Sequence, residues 1–337
     1  MPDDKRVRPR LRDVARIARV STMTVARVLR DPSKVAPDTR ARVRRVLRQT
    51  GYTPDLIARG LVSKRSGLVG VIVPVLSNSL IAEIVQGLTS ALAEGGLHAV
   101  LGVSDFKLEE EEAMIRAFLS RRVDAIYLSG VLRSPGSRRM LVESTIPVVE
   151  GANLGERPID MAVGHSNLAA AFETTRHLID RGYDPIGYIS APLRDNDRAQ
   201  DRRRGYDAAL LGAGRNVNAD LCVEAQLGLT SGAQAMATLL KRTPRVRAVF
   251  CYSDVLAAGA HFECLRRGLA IPGDIAIAGY DDLELASQIV PSLTSLRVPQ
   301  YEIGRRAGEM ICRRLAGEPV DEKIVNTGYK LIVREST

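Results

Sequence analysis

From Leu68 onward, short apolar runs alternate with helix-length amphipathic stretches, and nothing else in the chain restricts the fold as strongly. The run L-V-G-V-I-V-P at Leu68 is followed by Leu80 to Leu92, H-A-V-L-G-V from His98, Glu109 to Ser120, and V-D-A-I-Y-L-S ending at Ser129. The pattern resumes after Pro147 and returns through Pro185 to Ile189, Arg247 to Phe250 and Asp274 to Ala278. Runs that are apolar throughout predict strands covered on both faces, and the helices between them supply parallel crossovers. Two such sheets joined by three crossing segments make a two-lobed α/β body. Its ligand crevice is expected between the lobes, outside the carboxyl ends of the strands.

The residues before this body obey a different periodicity. Leu11, Val14, Ala15 and Ala18 fall on one helical face, and Val25, Val28 and Leu29 on a second. Between them Ser21 can cap the second helix and Val20 can plug the corner, which predicts a helix-turn-helix. The start of its second helix faces base edges in the major groove, so Thr22, Met23 and Arg27 are candidate readers, and Thr24 a phosphate contact. Pro37-Asp38 opens a third helix with Val43, Val46 and Leu47 inward, ended by Gly51. Thr53-Pro54 can start a fourth, very short helix that Gly60 weakens; it is either an order-disorder switch or a plain linker. The expected division is a small all-α helix-turn-helix head at 1–53, a hinge and linker at 54–66 and the α/β body at 67–337. Within the body, lobe 1 takes about 67–164 and 294–325, and lobe 2 about 165–293 and 326–337.

Charge separates the two parts. The whole chain carries 48 basic and 39 acidic residues, a net charge of +9, yet residues 1–66 carry +12 and the remainder −3. A polycationic head gains affinity by releasing counterions from a phosphate backbone, which points to double-stranded DNA. The competing partners, an anionic membrane or a protein docked on a three-helix bundle, lack a long amphipathic helix with an aromatic edge or any reason for this charge. Met1 to Arg10 does not read as a signal peptide, and no apolar run approaches the roughly 20 residues of a membrane span. These features suit a cytoplasmic protein. Cys222, Cys251, Cys264 and Cys312 lack metal or disulfide-framework spacing and read as free thiols, and the four histidines are scattered singly. No metal or cofactor is expected. Without a Walker loop, G-x-G-x-x-G or G-x-S-x-G, and without a nucleophile and base at readable spacing, an enzyme acting on a carbohydrate is the weaker reading.

The run D-V-A-R-I-A-R-V-S-T-M-T-V-A-R-V-L, followed by V-A-P-D-T-R-A-R-V and G-Y-T-P-D-L-I-A-R-G-L, resembles the LacI family of bacterial transcription regulators. I-P-G-D-I-A-I-A-G-Y-D-D from Ile271, P-S-L-T-S from Pro291 and R-R-R-G-Y from Arg202 extend the resemblance over the whole chain. M-T-V-A-R-V-L-R-D-P, I-D-M-A-V-G and R-V-P-Q-Y-E-I-G-R-R-A are similar to its gluconate-repressor branch. The resemblance implies a body like the periplasmic sugar-binding proteins and a homodimer on a pseudo-palindromic operator. It implies a repressor released by a small sugar or sugar acid such as gluconate, with a co-repressing effector or a vestigial sensor as alternatives. DNA contacts are implied at Ser21, Thr22, Met23, Thr24, Arg27, Thr39, Arg59 and Leu61, the last as a hinge-helix wedge in the minor groove. Arg19 stands where the family usually has glycine, Ala36 replaces the usual serine cap, and Asp55 and Gly60 replace asparagine and serine.

The strand-end rule picks out Ser77 to Leu80, Gly130, His165 to Asn167, Ser253-Asp254 and Tyr280-Asp281, and among them Asn78, Leu80, Gly130, His165, Ser166, Ser253 and Asp281 are the effector-site candidates. The resemblance adds Arg202, matched to the family's sugar-contacting arginine. An arginine fork opposite a carboxylate can hold vicinal hydroxyls, with Asp281 as acceptor, or Arg202 can hold a carboxylate itself. Ser253 replaces a family asparagine. His165 is a candidate only because it lies at a lobe crossing. The carboxylates Glu109 to Glu112 are expected to start a helix and face solvent.

Overall fold

The computed structural model describes residues 9–52, 65–76, 79–155 and 157–337, and the chain divides into two units, Met1–Ser66 and Gly67–Thr337. In the first unit α1 (Leu11–Ala18), α2 (Thr22–Arg30) and α3 (Pro37–Thr50) close around Val14, Ala15, Ala18, Val25, Val28, Val43 and Val46. Val20 packs against this cluster at the corner. Ser21 Oγ accepts the Thr24 N–H at 3.1 Å, satisfying one of the amides that every helix start leaves without a partner. Arg19, after the last turn of α1, has φ +52, the left-handed conformation that glycine adopts without steric cost. Ala36 precedes α3 with no side-chain cap, so this helix start relies on Pro37 at its first position.

The second unit contains two six-stranded sheets. In the first, β1 (Leu68–Val73), β2 (His98–Val103), β3 (Ala125–Ser129), β4 (Val148–Gly151), β5 (Met161–Gly164) and β11 (Ile324–Asn326) run parallel in the order β11-β5-β4-β3-β1-β2. In the second, β6 (Ile186–Ser190), β7 (Cys222–Glu224), β8 (Ala248–Cys251), β9 (Ala276–Asp281), β10 (Thr294–Arg297) and β12 (Lys330–Ile332) take the order β12-β10-β9-β8-β6-β7, with only β12 antiparallel. The chain passes between sheets after β5, after β10 and after β11, the three crossings of a two-lobed body. The first lies near the expected residue. The second does not: β10 pairs with β9 and β12, so Thr294 to Arg297 belong to lobe 2, and the crossing follows Arg297 rather than Leu293. The third comes after Asn326, which pairs with Gly164 in lobe 1.

The helices are α4 (Ser79–Glu94), α5 (Leu108–Ser120), α6 (Pro135–Ser144), α7 (Asn167–Asp180), α8 (Asp197–Gly212), α9 (Leu229–Arg242), α10 (Asp254–Arg266), α11 (Glu284–Gln288) and α12 (Gln300–Ala316). The α4–α12 pair touches backbone to backbone: a Cβ on Gly304 would fall 1.9 Å from Ile84 O, and one on Gly87 2.1 Å from Tyr301 O. The expectation that Glu109 to Glu112 face solvent fails at its last two positions. Glu111 is buried and accepts from Arg133 Nη1 at 3.1 Å, and Glu112 accepts from Ser134 Oγ at 2.6 Å. Leu108 starts the helix a residue earlier, and α5 must bury Ile115 and Phe118 on the same side, which turns Glu111 inward. The four cysteines are free thiols.

Candidate functional site

Two surfaces gather the sequence candidates, one on each unit. On the head, Ser21, Thr22, Met23 and Arg27 are exposed at the start of α2, and Thr24 and Thr39 are half-buried. Met23 is 69% exposed, a large apolar side chain that the head's own core leaves out. Ser21 Oγ and Thr24 Oγ1 lie 2.9 Å apart, so both hydroxyls brace the helix start that presents Thr22 and Met23. Arg59 and Leu61 lie outside the described residues, as does Asn78. Leu80 lies on α4, and its side chain is likewise outside them.

In the body, a cavity of about 40 Å³ lies between the lobes, lined by both sheets' strand ends. Room for a water needs about 10–15 Å³ of such space, so the cavity as it stands admits a few waters and no sugar. His165, Arg202 and Asp281 line it, joined by residues the sequence reading did not select: Arg198, Tyr252, Phe106 and Gln300. Val75, Phe106 and Leu227 also line a neighbouring cavity of about 610 Å³, so they are common to both walls.

Arg202 is the most constrained group here. Its Nε donates to Asn167 Oδ1 at 2.9 Å, and its Nη1 to Tyr252 O at 2.5 Å. The guanidinium carbon lies 3.5 Å from the Tyr280 ring centroid and 4.3 Å from that of Tyr252, a cation–π clamp. Nη2 turns toward Asp281 Oδ1 at 3.9 Å, a charge contact beyond hydrogen-bond length. Asn167, wholly buried at the start of α7, holds this arrangement. Its Oδ1 also accepts from Tyr280 at 3.3 Å, while its Nδ2 donates across the crossing to Ala152 O and Asn153 Oδ1, each at 3.1 Å.

The remaining candidates divide. His165 Nε2 lies 2.6 Å from Tyr280 OH, and burial, reinforced by Arg202 and Arg198, lowers its pKa to about 3, so it is neutral at physiological pH. Burial raises the Asp281 carboxyl well above its ordinary range despite Arg202. His165 Nδ1 and Asp281 Oδ1 have no hydrogen-bond partner, and both residues line the cavity. Ser166 and Ser253 are helix caps: their hydroxyls accept from Ala169 N–H at 3.1 Å and Leu256 N–H at 3.3 Å. Gly130 makes room rather than contact. It has φ +93, and a Cβ there would fall 2.8 Å from Asp197 Oδ1.

Asp197 and its neighbours tie the lobes together. From α8 of lobe 2, Asp197 Oδ2 accepts the Val131 N–H at 2.9 Å and Asn153 Nδ2 at 3.0 Å, and Arg198 Nη1 donates to Ser129 Oγ at 3.0 Å. Burial alone pushes the Asp197 carboxyl up, but Arg198, Asn153 and the Val131 amide outweigh it and hold the pKa below its usual value. Asp282 is spent on Arg297 and Arg334, each at 2.7 Å, and among the described residues no group of three or more His, Cys, Asp or Glu is placed to hold a metal. Arg198 was within reach of the sequence: it lies four residues before Arg202, on the same face of α8.

Both units have counterparts among known proteins. Residues 10–55 match the family model described as bacterial regulatory proteins, lacI family, and residues 175–337 that of a periplasmic binding protein-like domain. The chain is 36% identical over 331 residues to the HTH-type transcriptional regulator GntR of Pseudomonas aeruginosa, covering 98% of this chain and 96% of that one. A transcriptional regulator of the LacI family from Silicibacter pomeroyi superposes with a TM-score of 0.91 at 32% identity, covering 97% of this chain and 99% of that one. A solved complex of the transcriptional regulator CelR with cellobiose has a TM-score of 0.71 at 31% identity, covering 98% of this chain and 100% of that one. A helix-turn-helix head and a two-lobed body, matched over nearly their whole length by GntR-type regulators, establish that this chain belongs to the lacI family of bacterial transcription regulators.

Proposed function

We propose that the protein is a cytoplasmic, homodimeric repressor whose hold on a pseudo-palindromic operator is released by a small sugar or sugar acid bound between the lobes. The observation that carries the effector reading is the Arg202 clamp: a buried guanidinium fixed by Asn167, Tyr252 and Tyr280, with its free edge beside an Asp281 oxygen that has no partner. That edge and the carboxyl, 3.9 Å apart, offer a donor and an acceptor side by side to neighbouring hydroxyls. That a regulator of this fold, CelR, is solved in complex with cellobiose supports a sugar as the class of effector.

Thr22, Met23 and Arg27 read base edges, and Thr24 and Thr39 hold backbone phosphates. Residues 54–66 pass the state of the body to the head, with Leu61 as the minor-groove wedge. Two copies reading two half-sites account for the pseudo-palindrome. Because the cavity holds only a few waters, the lobes must part to admit the effector and close again around it. The site binds rather than turns over: His165 is neutral and bonded to Tyr280, and Arg202 is locked.

Thermal unfolding of the full chain across a panel of sugars and sugar acids tests this reading. A ligand at 100 times its Kd adds about 2.7 kcal/mol, a shift of several degrees. No shift with any member overturns the effector assignment.

A further inference from the structure

The charged side chains among the described residues lining the inner cavity are Arg198, Arg202 and Asp281. Burial raises the Asp281 carboxyl well above its ordinary range, and two guanidiniums stand against this one carboxyl, so the lining is net cationic. The two arginines are not equivalent. Arg202 has Nε and Nη1 engaged, both ring faces clamped by tyrosines, and its remaining edge beside Asp281, which leaves it suited to neutral hydroxyls.

Arg198 is held differently. It is 7% exposed, its Nη1 donates to Ser129 Oγ, and its Nε finds no hydrogen-bond acceptor. The nearest carboxylate oxygen to Nε is Asp197 Oδ1 at 3.9 Å, beyond hydrogen-bond length, while Asp197 Oδ2 is taken by Val131 and Asn153. One side of the guanidinium faces the Phe106 ring at 5.7 Å. A buried cation with an unmet donor at the wall of a small cavity carries a desolvation cost that a bound anion offsets.

We infer that Arg198 is the specificity-determining residue for a negatively charged end group on the effector, a carboxylate or a phosphate ester, while Arg202 and Asp281 grip the hydroxylated remainder. This rests on the reading of the cavity as the effector site. A polyhydroxy chain would lie along α8, its hydroxyls at the Arg202–Asp281 edge and its anionic end at Arg198, one helical turn nearer the start of α8. Phe106, shared with the neighbouring cavity and facing the Arg198 guanidinium, would lie against that end. An anion here also meets the lobe-to-lobe bond from Arg198 to Ser129, so its binding is coupled to closure.

Calorimetric titration of the full chain with D-gluconate, D-glucose 6-phosphate and D-glucitol tests it. The wild type is expected to bind at least one of the two anions tenfold or more tighter than the uncharged polyol, and the arm that carries the ratio identifies the end group. Arg198→Gln is expected to reduce that ratio to within twofold. Arg198→Lys, which keeps the charge, retains a preference of threefold or more and serves as the second variant if Arg198→Gln shows no cooperative thermal transition. A wild type that prefers D-glucitol or binds all three equally overturns the inference but leaves a sugar sensor. A ratio kept in Arg198→Gln, or lost in Arg198→Lys, also overturns it. Binding of none of the three removes the inference together with the effector reading beneath it.

Discussion

Asn167→Ala is the substitution through which the interlobe site can be weighed most directly. Asn167 is wholly buried and makes four hydrogen bonds, two from Nδ2 to Ala152 O and Asn153 Oδ1 and two to Oδ1 from Arg202 and Tyr280. A neutral buried hydrogen bond is worth about 1 kcal/mol net, and one to a charged donor about 1.5–3. The 3.3 Å contact from Tyr280 is long and adds little. The loss is therefore about 4 kcal/mol, dominated by the Arg202 guanidinium left without its Nε acceptor. In a domain of this size each kcal/mol moves Tm by about 2–4 °C, so a fall on the order of 10 °C is expected by circular dichroism or calorimetry. Asn167→Asp keeps the acceptor for Arg202 but sets an oxygen against Ala152 O and Asn153 Oδ1, so it should lose roughly half as much, through the lobe crossing alone. A Tm for Asn167→Ala within about 3 °C of the wild type would refute the assignment of Asn167 as the residue that fixes Arg202 and the crossing.

Three further outcomes follow from the same geometry. Ser21→Ala removes the cap of α2 and should cost the head about 1 kcal/mol, read as faster amide exchange in α2 and weaker DNA binding by the full chain. Asp254 has its pKa raised by burial to about 7, against an unfolded value of 3.8, with the Ser295 and Leu283 bonds opposing the rise. The folded state therefore holds this proton more tightly, and its contribution to stability, complete below about pH 4, is lost as pH rises toward 7. At 1.36 kcal/mol per pH unit that is about 4 kcal/mol, which Asp254→Asn should flatten in denaturant unfolding measured from pH 4 to 8. Gly304→Ala sets a methyl 1.9 Å from Ile84 O between α4 and α12, and a loss of about 3 kcal/mol or of soluble protein is expected in urea titrations.

Much of the architecture was legible because it rests on periodicity. The apolar runs at Leu68 and Ile186 have no polar face to show, and they became buried strands of parallel sheets. The run at His98, expected to be covered on both faces, became the edge strand β2 with Leu101 and Val103 exposed. Ser21 signalled its cap by residue type alone. What stayed hidden depended on contacts between distant segments. Glu111 looked like part of a solvated carboxylate run until Arg133, 22 residues on, turned out to be its buried partner. Thr294 to Arg297 carry no mark of which sheet they join; only the pairing with β9 and β12 decides it. In the site, the strand-end rule found Asp281 and the lobe crossing found His165, but the same rule brought in Ser166 and Ser253, whose hydroxyls serve as caps. Asn167 and Tyr280 fell on the same short list by position, but an amide and a phenol announce no role until a guanidinium lies against them.

The proposed linkage is that an effector between the lobes and a DNA duplex at the head are bound at each other's expense. It is tested most directly by selecting a duplex from a random pool with the full chain and measuring the Kd for that duplex with and without saturating D-gluconate, and the Kd for D-gluconate with and without the duplex. Both affinities are expected to fall by the same factor, between about 5 and 150, as linkage requires for a coupling of about 1–3 kcal/mol. Two unchanged Kd values with D-gluconate demonstrably bound, or a tightening of both, would contradict it.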